Sequence, residues 1–207
     1  MNAVVPSLYL ASQSPRRREL LQQIGVVHAV INASIPEQPA PGETALDYVQ
    51  RLAREKAAAG FAQLLQQQLP LAPVLGADTL GLLDGKILEK PLNQDHAQTM
   101  LRQLSGRTHQ VITAVALHSS TRQALRVSTT DVTFRELSDS EIAAYWETGE
   151  PQDKAGSYAI QGLGAVFVQE IRGSYSCVVG LPIEATCELL REFAVPWWTP
   201  AVAECGS

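Results

Sequence analysis

The sequence is poor in cysteine, with only Cys177, Cys187 and Cys205 in 207 residues. An odd and widely separated set supplies neither a paired disulfide framework nor a CxxC metal or redox site, so a reducing compartment is the simpler expectation. No run approaches the ~18 apolar residues of a membrane span, and no positive charge or signal-peptide-like apolar stretch precedes Arg16. We therefore expect a cytoplasmic protein with no membrane partner. Positive charge is scarce overall, because 16 Lys and Arg face 21 Asp and Glu and leave a formal net charge of −5. Sequence-independent nucleic-acid affinity comes from Lys and Arg neutralising phosphates, so the balance argues against DNA or RNA as a partner. Internal repeats, long low-complexity tracts and linkers are absent as well.

What is present is an ordinary globular composition, 45% hydrophobic and 18% charged, in a chain long enough to bury a substantial core. Residues 1–193 read as a single domain and 194–207 as a tail, whose adjacent Trp197 and Trp198 suggest docking against the core or a subunit interface. Leu8 to Ala11 reads as a short buried strand. Ser14-Pro15 then opens a helix, with Ser as N-cap, Pro at the first helical position and Gly25 just past its end. A second helix starts near Thr44 and turns Leu46, Val49, Ala53, Ala57, Phe61 and Leu64 inward.

Val74 to Leu83 and Lys86 to Leu88 flank Asp84-Gly85, a two-residue hairpin signal. Asn93 caps a third helix that buries Ala97, Met100, Leu101 and Leu104; Gln110 to Leu117 and Leu125 to Phe134 follow as two long strands. Ser138 and Glu141 form a capping box for a helix ended by Gly149. A Gly-rich loop, a strand from Val166 to Ile171 and a helix from Pro182 complete the pattern. The fold class is α/β, with a mixed twisted sheet flanked by helices.

Several positions break local rules. Arg16, Arg17 and Arg18 occupy the first turn of a helix, where the macrodipole disfavours cations by ~0.3 to 1 kcal/mol each. That turn's free backbone N–H groups suit an anion, and guanidinium groups beside them make a phosphate cradle; pairing with Glu19 or exposure to solvent is the plainer alternative. Arg51, Arg54 and Lys56 form a second basic group.

Asp78 lies in Gly76-Ala77-Asp78-Thr79 amid apolar residues, where a carboxylate must be paired, hydrated or metal-bound. It fits a general base or a metal ligand, and also a structural turn. Lys90 follows the hairpin beside Glu89, either as a point charge for phosphate or in a surface ion pair. Residues 153–162 mix glycines with polar side chains, as in a loop shaped around a ligand or in a plain one. The Gln161 amide is complementary to the O4 and N3–H edge of uracil or thymine.

Taken together, Ser12-Gln-Ser-Pro-Arg16-Arg17, Gly76-Ala-Asp78-Thr79, Leu88-Glu89-Lys90-Pro91, Leu104-Ser-Gly106 with His109, and Asp153-Lys-Ala-Gly156 through Gln161-Gly162 resemble, in order, the Maf family of nucleoside triphosphate pyrophosphatases. The likeness runs from about Leu8 to Phe193. It implies an inosine triphosphatase-like (Maf/Ham1-type) two-lobed architecture with a central cleft, a divalent metal cofactor (Mg²⁺ or Mn²⁺) and a homodimer. The Ile160-Gln161-Gly162 ending, with Arg16 and Thr79, is similar to the branch that hydrolyses dTTP and UTP to monophosphate and pyrophosphate.

By the same resemblance Asp78 is the proton acceptor, and Arg16, Thr79 and Gln161 set substrate preference. Ser12, Arg16, Arg17, Lys56 and Lys90 bind phosphate, while Asp78 and Glu37 hold the metal. The chain departs from the family at Pro36-Glu37-Gln38, where many members carry adjacent acids, so one potential ligand is missing. Modified pyrimidine nucleotides, the branch acting on 7-methyl-GTP, and a sensor of septum formation that binds without turnover are the competing readings.

Overall fold

The computed structural model describes residues 5–198. In chain order its elements are β1 (Leu8–Leu10), α1 (Pro15–Gln23), β2 (His28–Val30), α2 (Ala45–Gln66), β3 (Val74–Leu83), β4 (Lys86–Leu88) and α3 (Gln94–Leu104). They continue with β5 (Thr108–His118), β6 (Gln123–Phe134), α4 (Asp139–Glu147), β7 (Val168–Arg172), α5 (Tyr175–Val179) and α6 (Ile183–Glu192). The strands form one seven-stranded sheet in the order β2-β1-β3-β5-β6-β7, with β4 also on β3. The β1 strand is parallel to both β2 and β3, and the other pairings are antiparallel. This is the expected mixed α/β sheet with helices on both faces.

Two layers of side chains bury the sheet. One face carries the largest cluster, including Leu10, Leu21, Leu75, Leu101, Phe134, Ile142 and Leu189. The other face packs against α2 through Val49, Ala53, Ala57, Leu80, Ile112 and Ala114. Gly76 sets how close α2 comes: a Cβ there would lie 2.4 Å from both Ala53 O and Ala57 N. Only a residue without a side chain lets the helix backbone rest on the strand. That close approach brings Lys56, one residue before Ala57, down to Asp78, two residues past Gly76.

Local chemistry explains most element ends. Thr44, Asn93 and Ser138 cap their helices, each accepting from a backbone N–H, and the Ser138–Glu141 capping box is complete. Asp84 (φ 50°) and Gly85 (φ 76°) both adopt left-handed backbone in the β3–β4 turn, the requirement of a type I′ hairpin.

Three expectations change, and two short elements are added. Ser14 sits at the N-cap position of α1 but its side chain caps nothing. Leu46 is 44% exposed rather than inward, because the face of α2 that packs on the sheet runs through Ala45, Tyr48 and Val49 instead. The final strand starts at Val168, after a 3-10 turn at Leu163–Phe167, since the carbonyls of Val166 and Phe167 are taken by the Arg135 guanidinium and backbone N–H. Lastly, β2 and α5, three and five residues long, are too short for a periodic signal to reveal.

The decisive feature is a gap along one edge of β3. On that edge β1 pairs only with Val74 and Leu75, and β4 only with Gly81 to Leu83. Among the described residues, 76–80 therefore have no strand beside them there, although β5 pairs with all of them on the other side. The chain leaving β1 toward α1 enters the gap from one end. The chain leaving β4 enters from the other, because β4 runs antiparallel to β3.

Candidate active site

A cleft of about 570 Å³ occupies the gap, within the range of small-molecule sites. Neighbouring strand residues point to opposite faces of a sheet, so Asp78 faces α2 while Thr79 faces α1 and α5. Both line one cleft because the edge between those faces is open. Arg16, Arg17, Glu37, Lys56, Lys90 and Gln161 line it too. Ser12 reaches it through Arg17.

Arg17 is held at three points. Its Nε–H donates to Gly180 O (2.8 Å), Nη1 to Ser12 Oγ (3.0 Å) and Nη2 to Thr79 Oγ1 (3.2 Å). Thr79 Oγ1 lies 2.9 Å from Thr113 Oγ1, which in turn donates to Cys177 O at 2.8 Å. A carbonyl only accepts, so the Thr113 proton points to Cys177 and the Thr79 hydroxyl must donate to Thr113. Thr79 therefore accepts from Arg17 and has no proton left for a ligand. Two of the five guanidinium N–H groups of Arg17 remain for an anion. Burial pushes this guanidinium down from its ordinary pKa, Asp78 pushes it up, Arg16 opposes and Glu37 assists. It stays charged, since arginine keeps its proton in proteins.

The α1 N-terminus beside it carries no acidic residue in its first turn and no side-chain cap. Its N–H groups add to the positive end of the cleft. Arg16 is half-buried there, Arg18 is exposed, and Lys90 arrives from the β4 end, also exposed.

Opposite Arg17, the Lys56 ammonium lies 2.7 Å from Glu37 Oε1 and 2.7 Å from Asp78 Oδ1. Asp78 lies within β3, which removes the turn interpretation, and Lys56 is the partner its burial demands. Two carboxylates thus converge on one cation. Divalent ions in triphosphate sites take one or two carboxylates and complete their shell with phosphate oxygens and water, so this donor pair suits Mg²⁺ or Mn²⁺. Among the described residues no group of three or more His, Cys, Asp and Glu forms a metal cage. The loop carrying Glu37 is fastened to α2: the Tyr48 hydroxyl donates to Glu37 O (3.0 Å) and Arg51 Nη2 to Gln38 O (3.0 Å). Arg51 also grips Glu43 and Glu55, so it is a loop anchor.

The far end of the cleft is lined by the 154–161 loop, which contributes Lys154 as well as uncharged residues. Tyr158, Ala159, Ile160 and Gln161 form one wall, with His109 and Val111 behind them. His109 Nε2 lies 2.8 Å from the Tyr158 hydroxyl, and both rings pack edge-on against Phe134. Burial lowers the His109 pKa to about 4, so the imidazole is neutral near pH 7. Gln161 is exposed.

Three features escape a reading of the sequence. Thr113 had a signal, a lone hydroxyl in an apolar strand that needs a partner. Tyr48 lies on a helix face that could equally be solvated. The carbonyls of Cys177 and Gly180 carry no side-chain signature at all.

A family model described as Maf-like protein matches residues 7–193. A Saccharophagus degradans protein named dTTP/UTP pyrophosphatase is 56% identical over 191 residues, covering 92% of this chain and 90% of that protein. A Shigella sonnei protein of the same name is 58% identical over 187 residues, covering 90% and 93%. Among solved structures, the Staphylococcus aureus Ham1 protein aligns with 61% of this chain and 71% of its own at 11% identity and a TM-score of 0.38.

Proposed function

This chain belongs to the Maf family, and from that premise we propose that it hydrolyses dTTP and UTP to the nucleoside monophosphate and pyrophosphate. The observation that carries the reading is the convergence of Arg17, Lys56, Asp78 and Glu37 in one cleft. A carboxylate and several basic side chains line one cleft there. The relatives' shared name, at 56% and 58% identity over nearly the whole chain, supports the choice of substrate.

In the proposed reaction water attacks the α-phosphorus and the bond from that phosphorus to the α,β-bridging oxygen breaks. The water proton passes to Asp78, whose Oδ1 is held by Lys56, which leaves Oδ2 to take it. Charge accumulating on the departing pyrophosphate would be met by Arg17, already held at three points before the reaction begins, together with Arg16, Lys90 and the α1 N-terminus. Glu37 and Asp78 would hold a Mg²⁺ or Mn²⁺ ion, which when bound would neutralise triphosphate charge. Gln161 would read the O4 and N3–H edge of the base. Thr79 would bear on the substrate only indirectly, by holding Arg17 in place for phosphate, since its proton is committed to Thr113.

We extend the proposal to a cytoplasmic homodimer that engages neither membrane nor nucleic acid. Free Cys177 and Cys187 support a reducing compartment, and the exposed Trp198 supports a subunit contact. No helix among the described residues is long and apolar enough to cross a membrane.

The test is a side-by-side pyrophosphate-release assay with Mg²⁺ on UTP, dTTP, CTP, modified pyrimidine triphosphates and 7-methyl-GTP. UTP and dTTP should exceed CTP by at least ~10-fold in kcat/KM, the scale of one lost hydrogen-bonded base edge. Saturable binding without pyrophosphate would identify a sensor. A preference for 7-methyl-GTP would overturn the assignment of Gln161.

A further inference from the structure

The wall that carries Gln161 has no regular secondary structure of its own. Between α4 and β7 the chain runs through 3-10 turns at Glu150–Asp153, Ala155–Ser157 and Leu163–Phe167. A loop of this kind presents a side chain at a fixed place only if something else holds its backbone.

Tyr145 in α4 and Glu150, which opens the first of these turns, do so. The Tyr145 hydroxyl accepts from Ala159 N–H (3.2 Å) and donates to Glu150 Oε1 (2.6 Å). Glu150 Oε1 accepts a second bond from Gly164 N–H (2.9 Å), and Oε2 accepts from Leu163 N–H (2.9 Å). The anchored amides, at 159, 163 and 164, bracket Gln161 from both sides. The glycines in the loop make the grip sterically feasible. A Cβ on Gly162 would lie 2.0 Å from Glu150 Oε2, and one on Gly164 would lie 2.6 Å from the Tyr145 hydroxyl. Both positions must lack a side chain for the loop to reach the clamp.

Charge fits this arrangement. Burial alone would push the Glu150 carboxyl up, but bonds from Tyr145, Gly164 and Leu163 outweigh it, with help from Lys154, and hold it below the usual range. Glu150 is therefore an anion that accepts three hydrogen bonds, two of them from the loop's own amides, and charge-assisted bonds are the stronger kind.

We infer that Glu150, with Tyr145, is a positioning residue for substrate choice, which fixes the Gln161 amide by clamping the loop on either side of it. The inference rests on the reading of Gln161 as the base contact, and the variants separate the two. Glu150→Gln sets an amide NH₂ against backbone N–H or hydroxyl donors, while Tyr145→Phe leaves Ala159 N–H without its acceptor. Gln161→Ala removes the proposed base contact itself.

The experiment measures kcat and KM for UTP, dTTP and CTP. Gln161→Ala should lower the UTP-to-CTP ratio of kcat/KM about tenfold. Glu150→Gln and Tyr145→Phe should each lower it several-fold, mainly by raising KM for UTP and dTTP. In the Gln161→Ala background Glu150→Gln should lower that ratio no further, the signature of two residues acting through one contact. If Gln161→Ala collapses the ratio while both clamp variants keep it, the clamp role is wrong and the base contact stands. Equal losses on all three substrates also overturn the clamp role, by showing a structural effect only. An unchanged ratio in Gln161→Ala overturns both.

Discussion

The two ends of the cleft are built differently. At the phosphate end Arg17 is tied to Ser12 and Thr79, and Lys56 to Glu37 and Asp78. Most of them project from β3, α1 or α2. At the base end Gln161 stands exposed on a loop gripped from behind by Tyr145 and Glu150. Electrostatic stabilisation works when donors are already oriented, because reorganising them during reaction would cost what they supply. Base recognition needs only one edge held in place. The molecule thus separates chemistry, on regular elements, from choice, on a loop.

The largest expected effect breaks the phosphate end alone. Asp78→Asn keeps the shape and leaves Oδ1 to accept from Lys56, but removes the proton acceptor. Pyrophosphate release should fall ~10³-fold, within the range of general-base catalysis, or about 4 kcal/mol in the barrier. The loss should be the same for UTP, dTTP and CTP, and nucleotide affinity measured by calorimetric titration should stay within a few-fold. Wild-type turnover in this variant would remove Asp78 from the role of base. A loss confined to one nucleotide would erase the division between the two ends.

The same division marks what was legible in the sequence. The phosphate end is made of side chains that break local rules, such as arginines in a helix's first turn and an aspartate inside an apolar strand. Each violation points to a partner or ligand. Gly76 and the hairpin at Asp84-Gly85 are legible for a similar reason, because glycine stands where other residues would clash or strain.

The gap in the sheet was not legible. It arises because β1 and β4 are each three residues long while β3 has ten, and registers of unequal strands are set by tertiary packing. The base end hid its supports too. Glu150 follows Gly149 and precedes Pro151 as any surface turn acid would, and its bonds go to backbone amides at 163 and 164, which have no sequence signature. Resemblance supplied Gln161, and only the structure supplied the residues that hold it.

A smaller effect sharpens the comparison from behind the phosphate end. Thr113 is fully buried and completes the chain from Arg17 through Thr79 to Cys177 O. Thr113→Val would leave the Thr79 hydroxyl and the Cys177 carbonyl each short of a partner, at about 1 to 3 kcal/mol of stability. We expect kcat/KM to fall ~10-fold, the equivalent of about 1.4 kcal/mol in the barrier, uniformly across nucleotides. Thr113→Ser should recover most of it, since the hydroxyl and not the methyl group carries the chain. A change in base preference would place Thr79 against the base and refute the indirect role argued from its committed proton.

The smallest effect concerns the ground under the base end. His109 is 2% exposed, its Nε2 pairs with Tyr158, and its Nδ1 makes no hydrogen bond. Burial lowers its pKa from 6.5 to about 4, so between those values the unfolded chain binds a proton that the folded chain refuses. Stability from this group is complete above pH 6.5 and is lost as pH falls toward 4, by at most about 3 kcal/mol. Glu43 and Glu141, both held at about 2, lose their contribution lower, between pH 4.5 and 2, so the windows barely overlap. Urea unfolding of wild type at pH 7, 5.5 and 4.5 should show a falling midpoint. His109→Gln, which can still bond Tyr158 but does not titrate, should flatten that fall. Parallel curves for the two proteins would mean that the imidazole is not the acid-sensitive group beneath Tyr158.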